Sequence, residues 1–82
     1  MRVMPRIQPL LHEAMRTILL DFPDRVATLE ALSKENIKRD LYRQKKGEGR
    51  HPQPFQFRLR ALQYPGWFDF LPPDTVKYIG PQ

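Results

Sequence analysis

The sequence predicts an α+β domain in which three helices pack together and a small antiparallel sheet closes one side. Three observations lead there. Apolar residues recur at helical spacing in three separate stretches. Two β-rich runs, Trp67–Leu71 and Thr75–Ile79, flank a Pro72-Pro73-Asp74 turn near the end of the chain. The nine prolines sit at the borders of these stretches and form no repeat.

The first helix opens at Pro9, where the missing N–H of proline costs nothing. Leu10, Leu11, Ala14, Met15, Ile18 and Leu19 make its apolar stripe, and His12, Glu13, Arg16 and Thr17 take the other face. His12 therefore reads as a surface residue. Phe22-Pro23 ends the helix, because a residue before proline avoids the α region. Arg25-Val26-Ala27 suits a short strand that crosses to the hairpin. Either Thr28 or Asp24 caps the second helix, whose pattern runs through Leu29, Leu32, Ile37 and Leu41 and stops near Gln44. Lys45-Lys46-Gly47-Glu48-Gly49 is polar and glycine-rich, the composition of a mobile loop. Pro54 opens the third helix, with Phe55, Leu59 and Leu62 as its expected buried stripe, and Pro65-Gly66 stops it. The Pro72-Pro73-Asp74 connection then gives a three-residue hairpin loop.

Eighty-two residues allow one domain, placed at 9–79 between a lead-in at 1–8 and a loose tail at 80–82. A chain of this size buries about 60–65% of its unfolded surface, so its core is marginal. Cysteine is absent, which excludes disulfides and thiol chemistry, and the two histidines show no ligand spacing. No cofactor or metal is implied. The absence of a membrane-length apolar run and of a signal-type N-terminus leads us to expect a cytoplasmic or otherwise intracellular protein.

The net charge is +5, and its placement matters more than its size. Between Lys34 and Arg60 nine Lys/Arg stand against three acids. Such concentration favours a polyanionic partner, most often nucleic acid. Lys38, Arg39, Arg43, Lys45, Lys46 and Arg50 suit phosphate contact, with Lys77 near the hairpin as a further candidate. Their structural alternative is an exposed helix face with local pairs such as Glu35–Arg39.

The order helix, strand, helix, helix, strand, strand is that of a winged helix. Arg58-Leu59-Arg60-Ala61-Leu62, Gly66, the aromatic strand Trp67–Leu71 and the strand Thr75–Ile79 resemble the recognition helix and wing of the winged helix-turn-helix family. The resemblance implies duplex DNA binding in transcriptional or related regulation, with the third helix in the major groove. It makes Gln53, Gln56, Phe57 and Arg60 the base readers, with Gln63 at the edge of that set. Phe57 has core packing as its alternative, and Arg58, a further nucleic-acid-binding candidate, has a salt bridge to Asp69. The long connection between the second and third helices departs from the family pattern, which has a turn of about three or four residues there.

Enzymatic function is not expected. Ser33 is the only serine, no phosphate-binding loop motif occurs, and His12 and His51 have no recognisable nucleophile beside them. The alternative to nucleic-acid binding is a protein-interaction module. It would dock a partner or a second copy through exposed aromatic area on the sheet, from Trp67, Phe68, Phe70 and Tyr78.

Overall fold

The computed structural model describes residues 9–44 and 49–81. It is α+β, with helices α1 (Leu11–Leu20), α2 (Leu29–Arg39) and α3 (Pro54–Gln63) and strands β1 (Val26–Thr28), β2 (Phe68–Leu71) and β3 (Thr75–Tyr78). A 3-10 turn at Pro23–Arg25 leads into β1. The arrangement is winged-helix-like, and the lead-in at 1–8 lies outside the described residues.

Helix α1 starts after the expected Pro9. Leu10 holds extended backbone, and the Glu13 carboxylate turns back to accept its N–H at 2.9 Å. Five residues of the expected apolar stripe, Leu11, Ala14, Met15, Ile18 and Leu19, are buried, whereas Leu10, expected with them, is the exposed N-cap. Thr28 is the cap of α2, accepting the Ala31 N–H at 3.1 Å, while Asp24 is used in the 3-10 turn.

Helix α2 ends at Arg39, well before the expected Gln44. Asp40 adopts left-handed backbone (φ 52°, ψ 51°), and the chain turns back on itself. Asn36, fully buried, holds that turn from both sides. Its Nδ2 donates to the Tyr42 carbonyl and its Oδ1 accepts the Tyr42 N–H, both at 2.9 Å. Gln44 N–H then bonds the Arg50 carbonyl at 2.9 Å, closing the base of the connection between α2 and α3.

The sheet order is β1-β3-β2, all antiparallel. β3 is central because it pairs Val76 with Ala27 on one side and with Phe70 on the other. Strand alternation puts Ala27, Phe68, Phe70, Val76 and Tyr78 on the inner face. Val26, Asp69 and Lys77 lie across from one another on the outer face. Phe68, Val76 and Tyr78 complete the core with Leu29 and Leu32 of α2 and Phe57 and Ala61 of α3. The outward-facing aromatic sheet is therefore corrected: Phe68 and Tyr78 are buried, and Trp67 and Phe70 are half-buried against the core.

The segment after β3 is not a loose tail as far as Pro81. The Tyr78 hydroxyl donates to the Pro81 carbonyl and accepts from Arg16 Nε at 3.1 Å. A methyl group at Gly80 would lie 3.0 Å from two atoms of the buried Tyr78 side chain. The Gly80→Ala substitution is therefore expected to lower stability by about 1–3 kcal/mol, the usual cost of overpacking. Urea denaturation measures it, and an unchanged midpoint would mean that this segment does not hold against Tyr78.

Candidate functional site

Helix α3 is where the structure departs most from the sequence expectation. Its buried residues are Phe57 (0% exposed) and Ala61 (2%). The stripe expected to be buried faces outward instead, with Phe55 at 58%, Leu59 at 49% and Leu62 at 52%. At about 100° per residue Leu59 points nearly opposite Phe57, with Phe55 and Leu62 beside it. Phe57 is thus a core residue and no base reader. It lies on the side of α3 that contacts α1 and α2, so no ligand reaches it.

The outward stripe is bracketed by polar groups. Arg58 stands on one border, its guanidinium 5.5 Å from the centroid of Phe70, and is not paired with Asp69 as the alternative had it. Gln56 and Gln63 stand on the other border. Beyond them, α3, Leu11, Tyr42, Gln44 and Pro52 enclose a cleft of 160 Å³ into which Leu59 and Arg60 also face. Gln56 is tied into the helix start, where its Oε1 accepts the Gln53 N–H at 2.7 Å. Its carbonyl oxygen thereby already accepts one bond, which restrains the amide at the helix start. Gln53 is exposed and caps the helix through its backbone, with no side-chain cap bond.

No family model, curated protein or solved structure matches this chain.

The basic cluster does not form one free surface. Arg39 is held by Asp21 at 2.8 Å and Glu35 at 3.1 Å, which raises its pKa. Arg43 donates to Asp40 at 2.7 Å, and His51 Nε2 lies 3.0 Å from the same carboxylate oxygen. The hydrogen bonds from Arg43 and His51 hold Asp40 at about 2. These pairs help set the geometry of the chain after α2, and they offset the charge of two of the cations expected to contact phosphate. Lys38, Arg50 and Lys77 are exposed and Arg60 is half-buried, and none has a carboxylate partner within 4.0 Å among the described residues. Lys77 stands directly across from Asp69 in the sheet, which moderates its charge. Lys45 and Lys46 lie outside the described residues.

His12 is also corrected. It is buried at 8% exposure and stacked on Tyr64 with ring centroids 4.0 Å apart, with the edge of Trp67 at 5.1 Å. Sequence periodicity put it on the polar face of α1, but Tyr64 and Trp67, at the turn after α3, cover it there. Its Nδ1 has no hydrogen-bond partner among the described residues. Burial lowers its pKa, Glu13 opposes that shift and Arg60 adds to it. His12 thus folds as the neutral ring, while the unfolded chain takes up the proton at a higher pH. Stability from this site is complete above the unfolded pKa of about 6.5 and falls as pH drops below it. Denaturation midpoints between about pH 7.5 and about pH 5.5 are expected to decline in the native chain and to decline less in His12→Phe, which keeps the stack. Equal slopes in the two proteins would remove His12 as the cause.

Among the described residues no group of three or more His, Asp or Glu could hold a metal ion. No helix among them is long and apolar enough to cross a membrane.

Proposed function

We propose that this chain is a protein-interaction module on a winged-helix-like scaffold, with the outward face of α3 as its docking surface. One observation carries the proposal. Phe55, Leu59 and Leu62 stand about half exposed in a row on a helix whose opposite face fills the core. Single exposed apolar residues are ordinary, but three at i, i+4 and i+7 make a contiguous strip of the kind that marks an interface. Leaving that strip in water has no folding rationale, since Phe57 and Ala61 already anchor the helix.

Duplex nucleic-acid binding is the second reading. It is favoured by Lys38, Arg50 and Arg58, which are exposed and without a carboxylate partner among the described residues. With Phe57 buried and Gln56 restrained, such binding would rest mainly on phosphate contacts. A titration of mixed duplex DNA at two salt concentrations separates the readings. Docking through α3 predicts weak DNA binding that Leu59→Ser leaves unaltered. An affinity that falls steeply with salt and is lost in the double variant Arg50→Ala, Arg58→Ala would establish the nucleic-acid reading in its place.

A further inference from the structure

The chemistry around the stripe narrows the kind of partner. Helix α3 carries Arg58 and Arg60 and no acidic residue over its whole length. Arg58 borders the stripe at Phe55 and Leu62, and Arg60 reaches the cleft on the far side of Leu59. Among the described residues, the nearest carboxylate along the chain before α3, Asp40, is already committed to Arg43 and His51. The docking face is thus an apolar strip with Arg58 on one border, Gln56 and Gln63 on the other and Arg60 beyond them at the cleft, and nothing on α3 neutralises the two guanidinium groups.

Resting on the docking role of α3, we infer that the partner is an acidic amphipathic helix. Its apolar side would lie along Phe55, Leu59 and Leu62, and its Glu or Asp flanks would meet Arg58 and Arg60. The helical form follows from the stripe, because a row at i, i+4, i+7 is a ridge that fits the groove between side-chain rows of another helix. The stripe covers two turns, about 10 Å of helix axis, so a partner of three to four turns spans it. The 160 Å³ cleft beside Leu59 takes one side chain of that partner, with Arg60, Gln44 and Gln63 as hydrogen-bond donors for a carboxylate. A second copy of this chain is disfavoured, since it would bring one +5 molecule and its α3 arginines against another. Nucleic acid is disfavoured at this face because three large apolar side chains would strip water from phosphates and return no hydrogen bond.

The test is a display selection on the full chain with a library of helix-forming peptides of about 14 residues, near the shortest length that is helical alone. The expected winners carry apolar residues at i, i+4, i+7 and net negative charge. Their affinity should fall at least tenfold for Leu59→Ser. The Arg58→Glu variant should lose the acidic peptides and gain lysine-flanked versions of them. Both variants change exposed side chains, and circular dichroism checks that each stays folded. Winners that need Leu59 but are neutral, basic or extended overturn the acidic-helix assignment and leave docking through α3 standing. Winners indifferent to Leu59, or none at all, overturn both. Binding to mixed duplex DNA or to phosphatidylserine vesicles that Leu59→Ser abolishes, with no peptide so affected, overturns both. A concentration-dependent mass that Leu59→Ser abolishes overturns the acidic helix in favour of a second copy.

Discussion

Phe57→Ala lowers the folding stability by about 3–5 kcal/mol, the loss expected when a fully buried phenylalanine is removed from a core that cannot collapse around the gap. A domain of this length has about 4–12 kcal/mol in total, so the variant gives up about a quarter of it or more. Phe55→Ala and Leu59→Ala, on the outward face of the same helix, change stability by only about 0.5 kcal/mol, as surface substitutions do. Urea denaturation of the three variants checks this directly. If Phe55→Ala and Leu59→Ala are the damaging ones and Phe57→Ala is mild, α3 sits in the opposite rotation and the docking surface described above does not exist. The comparison is decisive because all three side chains are large and apolar and lie within one turn or so of each other, leaving orientation as the main difference.

Asn36→Ala has the second large effect. The buried amide gives up two hydrogen bonds at once, and both backbone groups of Tyr42 lose their partner in a part-buried setting. At about 1–3 kcal/mol for each polar group left without a partner, a loss of about 2–4 kcal/mol is expected. The damage is also local in a way that packing defects are not. The bonds of Asn36 fix the turn at Asp40, and that turn sets the base of the connection closed between Gln44 and Arg50. Amide exchange at Tyr42 and Gln44 should therefore accelerate more than exchange in β3. Uniform acceleration across the chain would mean that Asn36 supports only global stability and does not hold this turn.

Much of the architecture was legible in the sequence because it rests on local rules. Most of the stripe of α1, the breaks at Phe22-Pro23 and Pro65-Gly66 and the hairpin around Pro72-Pro73-Asp74 each follow from neighbouring residues and are found close to where the sequence puts them, and of the two caps open to α2 the fold uses Thr28. The candidate site was less legible. The charge run from Lys34 to Arg60 looked like one basic surface, yet Asp21 is far away in sequence and neutralises Arg39 through the fold. The end of α2 was missed because Leu41 continues its apolar pattern, while the polar Asn36 that turns the chain back gives no periodic signal.

By itself the sequence determined that the third helix exists, where it starts and stops, and that it carries apolar residues on more than one side. Two stripes are written into it at the same spacing, Phe55-Leu59-Leu62 and Phe57-Ala61-Tyr64. Periodicity cannot choose between them, and side-chain size favours the first. Only the tertiary structure decided for the second. Small Ala61 lets α3 lie close against its neighbours, and the Tyr64 ring covers His12. The Tyr64 carbonyl accepts the N–H groups of Trp67 and Phe68 and so ties the end of the helix to β2. That connection fixes the rotation of α3, and the larger stripe is turned out to the solvent.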